Sequence, residues 1–387
     1  MTSRTLTRAQ GRVRLGIVGL GAVAQAVHLP LIERLRDTFE IAALADLSAT
    51  LTAALGERYR VPSERRHRSL EELLAGPPID ALLVLTSGSH GPAILSGLAS
   101  GLPVFAEKPL AFTLAEADAI GRQLVADPAG RLQVGYMKLS DPAVVQARSV
   151  AEQRAFGAAR AVEVTVLHPT SESQLAHARL LPPPGDVSAE VRAALEVQRT
   201  ALQVAAIGAE AAPTLGRLYT DILLGSVVHE LALVRAFAGD PVAIDALHVF
   251  PAGRWPPSLE LTGQLPNDGR LSIRWHFLPD YPSYREEVRV VYEAATTELS
   301  FPSPYLLHHP TGLRLTTARD GGRQEECWTS TGEAFEEELL DFHALVVDGR
   351  QATSGLAAGR ADIVTCQRAV AARAASIGLA IGGEAAG

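Results

Sequence analysis

The sequence has 387 residues, of which 47% are hydrophobic and 20% charged, a composition typical of globular proteins that excludes a largely disordered chain. This length predicts roughly two or three domains. The formal net charge of −8 argues against nucleic acid or an anionic membrane as the main partner. Residues 1–12 are polar and basic and lack the apolar stretch of a secretory signal. Since no apolar run approaches the ~20 residues that span a bilayer, the sequence predicts a cytoplasmic protein.

The first third of the chain alternates short apolar runs with longer segments of helical pattern. The apolar runs lack the polar alternation of half-exposed strands, which is typical of strands covered on both faces. Repeated strand–helix–strand units predict an α/β domain with a doubly wound parallel sheet over residues 1–138. The predicted strands are 13–19, 41–45, 81–86, 104–106 and 132–136, and the predicted helices are 22–36, 48–59, 69–75, 90–100 and 113–125.

A glycine-rich turn follows the first predicted strand. Gly19 permits a tight turn, Gly21 allows the backbone to approach a pyrophosphate, and Ala24 allows close packing of helix on strand. The following helix directs N–H groups at the anion. Asp46 ends the next strand about 20 residues further on, where a carboxylate accepts hydrogen bonds from adenosine ribose hydroxyls. The turn therefore predicts a dinucleotide site; the alternative is a glycine-rich connector in an unrelated α/β domain.

Asp46 also predicts the choice of cofactor. Its carboxylate would repel the 2′-phosphate of NADP, and neither Leu47 nor Ser48 supplies a cation to neutralise that phosphate. NAD is therefore favoured over NADP.

Residues 139–387 have a different pattern. Apolar and polar residues alternate in neighbouring segments, which predicts an α+β domain with a large open antiparallel sheet. The alternating segments are 157–168, 259–261, 270–277 and 288–290; helices are predicted at 188–206, 216–238, 333–348 and 356–377. A proline-rich loop at 182–185 precedes the first of these helices, which Asp186 or Ser188 can cap.

These motifs resemble the glucose–fructose oxidoreductase/inositol dehydrogenase (Gfo/Idh/MocA) family. The resemblance is strongest over residues 13–140, and its most specific element is Glu107-Lys108-Pro109 at a predicted strand end. It implies an N-terminal Rossmann domain, an α/β domain whose open sheet mediates association into a homodimer or homotetramer, and NAD(P)-dependent oxidoreduction of a sugar, cyclitol or related polyol. The matching motifs are Gly19 to Ala24 with His28, Ala45-Asp46, Ile79 to Ala81 with Leu85-Thr86, His90, Gly101 to Pro109, and Val134 to Tyr136.

The resemblance also implies roles for individual residues. Lys108 would be the main acid/base, because a partly desolvated lysine beside a cofactor can have its pKa lowered towards neutrality. From residue types alone, Glu107 and Lys108 would be a surface ion pair. The implied cofactor-binding residues are Gly19, Gly21, Ala22, Val23, Asp46, Thr86, His90 and Glu107.

The second domain departs from the family pattern in its helical motif. Members usually carry an Asp four residues before a His, on one helical face. Here His229 matches and would assist Lys108, but Gly225 stands in the Asp position. Asp221 lies two α-helical turns (~12 Å) before His229, too far to substitute. Ser226 can hydrogen-bond to a substrate but carries no charge.

Three further positions bear on the substrate. Met137 replaces a usual Asn, whereas Lys138 keeps a positive charge available at the site. His168 at a strand end and His177 in the following loop are candidate substrate contacts, although polar loop ends are the ordinary explanation. A helical insertion at about 170–215 is longer than the typical connection and would cover or reshape the substrate site.

Three functions remain open from the sequence. The first is an NAD(P)-dependent dehydrogenase or reductase of a small polyhydroxylated molecule. The second is an enzyme with tightly held NAD that performs net non-redox sugar chemistry, and the third is a catalytically weak NAD sensor. The absence of the helix Asp and the presence of Met137 favour the sensor, whereas Lys108 and His229 count against it. The two cysteines, Cys327 and Cys366, lack metal-ligand spacing, and the sequence predicts no metal.

Overall fold

The computed structural model describes residues 11–127, 129–182 and 184–387. The first ten residues of the polar start, and Pro183 of the predicted loop, lie outside the described residues. Among the described helices, none is long and apolar enough to cross a membrane.

The N-terminal sheet has the doubly wound parallel arrangement that the sequence predicts. Its strands are β1 (Val13–Val18), β2 (Phe39–Ala45), β3 (Arg66–His67), β4 (Ala81–Val84), β5 (Val104–Glu107) and β6 (Leu132–Gly135). They pair in parallel in the order β3-β2-β1-β4-β5-β6. The strand order reverses between β1 and β4, so a crevice opens above their carboxyl ends, where such folds bind dinucleotides. Only the two-residue β3 was not predicted, because it is too short to carry a pattern.

Five α-helices connect these strands, and three of them begin at a capping side chain. They are α1 (Leu29–Arg34), α2 (Ala49–Arg58), α3 (Leu70–Ala75), α4 (Gly91–Ala99) and α5 (Leu114–Ala126). The side chains of Ser48, Ser69 and Thr113 accept backbone hydrogen bonds at the starts of α2, α3 and α5. A π-helical turn, Ala24–His28, precedes α1 and turns the chain after the glycine motif.

The second sheet is open and mostly antiparallel. Its strands are β7 (Ala159–His168), β8 (Ala243–Phe250), β9 (Ser258–Gln264), β10 (Arg270–Phe277), β11 (Arg285–Tyr292), β12 (Ala295–Phe301), β13 (Gly312–Arg319) and β14 (Gly322–Trp328). Their order is β14-β13-β12-β11-β7-β10-β9-β8. The sheet is thus antiparallel as predicted, with one parallel pair formed by β10 and β7. The chain leaves β7 for several helices before it returns, which is the long crossover that parallel pairing requires.

The remaining helices surround this sheet. They are α6 (Pro142–Arg154), α7 (Ser171–Leu175), α8 (Ala189–Ile207), α9 (Ala212–Arg217), α10 (Val228–Ala238), α11 (Ala334–Asp348) and α12 (Leu356–Ser376). The predicted helix over 216–238 is helical throughout but is not wound uniformly as an α-helix. Between α9 and α10 the chain forms a π-helical segment, Leu218–Val227, in which hydrogen bonds join residues five apart.

Helix α11 packs on the N-terminal sheet although it follows the second domain in sequence. Phe335, Leu339 and Phe342 are buried in the same core as β1, β4 and β5. The Phe342 ring lies edge-on to that of Phe105, with centroids 5.6 Å apart. The unit built on the Rossmann sheet therefore includes a C-terminal helix, and the boundary at residue 138 stays a prediction.

Candidate active site

The glycine turn after β1 has the geometry of a phosphate cradle. Gly19 has φ +91°, and a Cβ there would lie 2.5 Å from backbone atoms of Leu85 and Thr86, so only glycine fits. A Cβ on Gly21 would meet nothing within 4 Å, and Gly21 and Ala22 are exposed. The backbone therefore lies beside open space at the start of a helix, as a pyrophosphate requires. Val23 is half-buried at the edge of this turn.

Asp46 is fixed at the carboxyl end of β2. Its carboxylate accepts hydrogen bonds from the backbone N–H of Leu20 (2.8 Å) and of Ser48 (2.9 Å). These bonds join the Asp46 turn to the glycine turn, so both fit one dinucleotide. The structure also places a cation at this turn that the residues next to Asp46 did not predict. The Arg68 guanidinium donates a hydrogen bond to the Leu47 carbonyl (3.2 Å).

Glu107, at the end of β5, is buried against His28. Its Oε1 lies 2.8 Å from His28 Nε2. Burial alone would raise the pKa of Glu107, but the hydrogen bond from His28 and the charges of His28 and Lys108 lower it below its usual value. His28 was part of the motif without an assigned role, and the structure makes it the partner that orients Glu107.

His90 connects two backbone segments. Its Nδ1 lies 2.7 Å from the Pro109 carbonyl and its Nε2 lies 2.6 Å from the Thr86 carbonyl. Because both nitrogens contact backbone and the ring is buried, His90 positions the loop after β4. Direct contact of its ring with the cofactor, as the resemblance implied, would require breaking one of these bonds.

A cavity of about 340 Å³ joins the two domains above β5 and α10. It brings together five of the six side chains that the sequence offered for catalysis or substrate binding. The sixth, His177, is not among the lining residues and instead contacts the Tyr305 carbonyl (2.9 Å). The predicted residues in its lining are Lys108, Lys138, His168, Ser226 and His229.

Aromatic side chains form one wall of this cavity, and the sequence analysis did not single them out. Trp275 and Phe277 alternate with polar residues on β10, so their shared face was the available signal. Their rings stack nearly parallel, with centroids 6.4 Å apart. The aromatic lining is completed by Trp255, Tyr284 and Tyr305.

Lys108 reaches across the domain interface. Its Nζ donates a hydrogen bond of 2.5 Å to the Gly225 carbonyl in the π-helical segment. Burial lowers the pKa of Lys108, and the negative charges of Glu107 and Glu230 only partly oppose this effect. A lysine in this environment can lose its proton more readily than a free one.

His229 lies at the start of α10, directly after the π-helical segment. Its Nδ1 is buried and has no hydrogen-bond partner among the described residues. Burial, followed by the positive charges of Lys108 and Lys138, holds the pKa of His229 well below its usual value. The absence of a side chain at Gly225 leaves the usual carboxylate position empty, since a Cβ there would contact only the Thr220 carbonyl, at 3.3 Å.

Asp221 does not replace that carboxylate, although it lines the same cavity. Its oxygens accept two hydrogen bonds from Arg199 of α8, at 2.8 and 3.0 Å. Arg217 adds a third contact at 3.4 Å. The arginines therefore neutralise the Asp221 carboxylate and occupy it as a hydrogen-bond acceptor in place of His229.

The expectation that Lys138 offers a free positive charge is wrong. Its Nζ is bonded to Glu286 (2.5 Å) and Glu230 (3.0 Å), and its side chain is 6% exposed. Tyr284 donates a further hydrogen bond of 2.6 Å to Glu286. Burial raises the pKa of Glu230 to about 7 in spite of the lysine. Lys138 thus closes the cavity floor as part of a buried ion cluster.

Ser226 and His168 support the aromatic wall. Ser226 Oγ accepts a hydrogen bond from the Trp275 indole N–H (3.0 Å). The His168 ring lies 5.2 Å from the Trp275 ring, and its Nδ1 donates to the Pro169 carbonyl (2.6 Å). Burial lowers the pKa of His168. Both residues reach the cavity, but Ser226 is already engaged with Trp275.

Helix α8 of the predicted insertion lies beside the site, and its effect on the substrate stays a prediction. Helix α8 and the loop after β4 enclose a second cavity of about 520 Å³, which shares Lys108, Asp221 and Gly225 with the first. Among the residues that the structure describes, no group of three or more His, Cys, Asp or Glu side chains could hold a metal ion.

Comparison with known proteins identifies the N-terminal domain. Residues 13–136 match the model of the oxidoreductase family with an NAD-binding Rossmann fold (GFO_IDH_MocA). Inositol 2-dehydrogenase of Agrobacterium fabrum is 33% identical over 143 residues, which cover 37% of this chain and 42% of that protein. Inositol 2-dehydrogenase/D-chiro-inositol 3-dehydrogenase of Shouchella clausii is 31% identical over 153 residues, 38% of this chain and 42% of that protein. These matches span less than half the length of either relative.

Solved structures extend the similarity of fold to the whole chain. UDP-N-acetylglucosamine 3-dehydrogenase of Acidithiobacillus ferrooxidans superposes with a TM-score of 0.67 at 18% identity, over 93% of this chain and 97% of that one. Myo-inositol 2-dehydrogenase of Lactobacillus plantarum gives a TM-score of 0.67 at 16% identity, over 96% and 99%. Residues 13–136 are therefore similar to the NAD-binding Rossmann domain of the Gfo/Idh/MocA oxidoreductase family, and beyond them the similarity is one of fold.

Proposed function

We propose that the chain is a nicotinamide-dependent oxidoreductase that transfers a hydride between NAD and a CH–OH carbon of a small polyhydroxylated substrate. One observation carries this proposal: Lys108 of the NAD-binding domain and His229 of the second domain line one aromatic-walled cavity beside the end of β5. When bound there, the nicotinamide ring would accept or return the hydride.

Lys108 would handle the proton of the reacting hydroxyl. Oxidation of a CH–OH carbon removes a hydride and leaves the hydroxyl proton for a base, and reduction needs the same proton returned. The lowered pKa of Lys108 increases the share of neutral amine that can accept this proton. The Gly225 carbonyl holds Nζ in place as an acceptor, without adding a formal charge that would stabilise the ammonium strongly.

His229 would orient the substrate as a neutral imidazole. Its lowered pKa disfavours the cationic form, and no carboxylate beside Gly225 stabilises that form. A neutral ring can still hydrogen-bond to a substrate hydroxyl. The two residues therefore have unequal roles, with the proton moving to Lys108.

The cavity supports a ring-shaped polyol such as a sugar, a cyclitol or a derivative. Aromatic rings pack against the apolar faces of a ligand, while a few polar groups set its orientation. Here Trp255, Trp275 and Phe277 supply the aromatic rings, and Lys108 and His229 supply the polar groups. The activities of similar proteins, inositol 2-dehydrogenase among them, support the same substrate class.

The Asp46 turn supports NAD over NADP. The carboxylate is held in place by two backbone N–H groups at the end of β2, where ribose hydroxyls would bind it. A 2′-phosphate would meet this negative charge, although Arg68 lies nearby and partly offsets it.

We also propose that the chain forms a homodimer or homotetramer through the outer face of the second sheet. That face is charged: Arg289 lies between Glu163 (3.8 Å) and Glu298 (3.9 Å), and Arg314 lies 3.6 Å from Glu298. Alternating charges of both signs on one face allow a second copy to pair with it about a two-fold axis.

The proposed activity is tested by incubating the protein with NAD and a panel of inositols, aldoses, sugar acids and amino sugars while following absorbance at 340 nm. Formation of NADH with at least one ring polyol supports the proposal. Absence of turnover with the entire panel in both directions contradicts it. NAD that co-purifies with the protein while no NADH accumulates would favour the non-redox alternative instead.

A further inference from the structure

The insertion before α8 contributes a second carboxylate to the turn that carries Asp46. Asp186 Oδ2 accepts a hydrogen bond of 2.9 Å from the backbone N–H of Thr50. Hydrogen bonds from the Ser48 side chain and from Thr50 lower the pKa of Asp186 to about 2, so this carboxylate is charged at neutral pH. Ser48 is the residue whose N–H binds Asp46. The two carboxylates are therefore attached to the same short turn after β2.

Other contacts hold the insertion against the NAD-binding domain. The backbone N–H of Leu181 donates to Gln25 Oε1 (2.9 Å), in the helical turn after the glycine motif. Leu180 and Leu181 pack against the core of the N-terminal domain. Arg192 of α8 donates to the Val187 carbonyl (2.5 Å), next to Asp186. The contacts at Gln25 and Thr50 thus fix the insertion to the elements that follow the glycine turn and Asp46.

The charges around the turn bear directly on the two cofactor forms. Asp46 would bind the hydroxyls of the adenosine ribose. NADP differs from NAD by a phosphate on that same ribose. Arg68 would attract that phosphate, since its guanidinium contacts the Leu47 carbonyl. Asp186 supplies a negative charge on the Ser48–Thr50 side of the same turn. Like charges a few ångström apart at a protein surface repel appreciably at low ionic strength.

We propose that Asp186 is a cofactor-specificity residue, whose carboxylate on the Asp46 turn repels the 2′-phosphate and so excludes NADP. The inference rests on the proposed function, because it places the adenosine ribose at Asp46. It assigns to the insertion a role in selecting the cofactor, in addition to reshaping the substrate side.

Binding measurements test the assignment without any substrate. Dissociation constants of NADH and NADPH are measured by fluorescence titration at low and at high salt, for the wild type and for Asp186→Asn. Asparagine keeps an oxygen that accepts from Thr50, so the loop conformation is preserved while the charge is removed. Asp46→Asn is the positive control, and Asp320→Asn, in the exposed turn after β13, is the matched negative control.

The expected result is a tightening of NADPH binding by about five- to tenfold in Asp186→Asn at low salt, with NADH binding within about twofold of the wild type. High salt should reduce the difference. A ratio of NADPH to NADH affinity that stays within twofold of the wild-type ratio overturns the inference and leaves the proposed function standing. A wild type that prefers NADPH overturns the inference together with the proposed preference for NAD, and leaves the proposed hydride transfer to be tested by turnover. A wild type that binds neither nucleotide overturns both.

Discussion

Lys108 and Lys138 are the only two lysines in the sequence, and both line the candidate active site. They have opposite electrostatic surroundings. Burial lowers the pKa of Lys108, and the backbone carbonyl that accepts its hydrogen bond carries no formal charge to oppose this effect. Burial would also lower the pKa of Lys138, but Glu286 and Glu230 override it and raise that pKa. One residue is thus suited to exchange a proton and the other to hold its proton permanently.

Because the chain contains only these two lysines, their ionisation can be measured directly. Protein labelled with ¹³C at the lysine side chains should give two sets of side-chain signals, and Lys108→Met assigns them by removing one. We expect Lys108 to titrate below the ordinary lysine value of 10.5 and Lys138 to titrate above it. The deprotonation of Lys108 would then set a rise in oxidative turnover with pH, since the neutral amine is the base. Equal midpoints, or a Lys108 midpoint above 10.5, would refute this electrostatic account.

At the scale of elements, the π-helical segment explains why helical spacing did not predict which residues of 218–229 reach the site together. Spacing along an α-helix predicted that positions four apart share a face, and the apolar pattern of 216–238 contains nothing that distinguishes π from α winding. In the structure, Asp221, Gly225 and Ser226 all line the cavity with His229. The partners of these residues come from β5, α8 and β10, which no local pattern connects to this segment.

The same segment positions the aromatic wall through Ser226. Replacing Ser226 with Ala removes the acceptor of the Trp275 indole N–H, a group that is buried. We expect a loss of about 1 kcal/mol in the free energy of unfolding. We also expect a several-fold rise in KM for the polyol, with kcat within about twofold. NADH affinity should be unchanged.

Steady-state kinetics together with thermal unfolding check this expectation, with Ser376→Ala at the exposed end of α12 as the matched control. An unchanged KM would mean that Trp275 needs no hydrogen bond to shape the site. A fall in kcat comparable with that of Lys108→Met would show that Ser226 participates in the chemistry itself.

At the scale of the whole molecule, the parallel sheet and the glycine turn could be predicted because their signals are local. The longer strands of the first sheet are largely apolar runs, and Gly19 is required by the close approach of the backbone that follows β4. The return of α11 to the first domain is a contact between distant parts of the chain, and nothing within 334–348 specifies which sheet it covers. The choice between NAD and NADP, the cellular location and the oligomeric state stay predictions.

Self-association through the second sheet should depend on salt. The outer face carries the ion pairs of Arg289 and Arg314 with acidic neighbours, so its attraction for a second copy would be largely electrostatic and screened by ions. Light scattering at micromolar concentration should detect a dimer or tetramer at low salt. Arg289→Glu should shift it towards monomer, whereas Arg360→Glu on α12, paired with Asp118, should not. A monomer at low salt in the wild type would contradict the proposed assembly.

The central claim is that Lys108 transfers the proton of the reacting hydroxyl while His229 only orients the substrate. The most direct test compares turnover of Lys108→Met and His229→Asn with that of the wild type, on whichever polyol the panel identifies, with NADH affinity measured in parallel. Methionine keeps most of the volume of lysine but cannot accept a proton. We expect Lys108→Met to lose on the order of 10²-fold or more in kcat with NADH affinity nearly unchanged, and His229→Asn to lose less. Near-wild-type turnover in Lys108→Met would contradict the proposed mechanism.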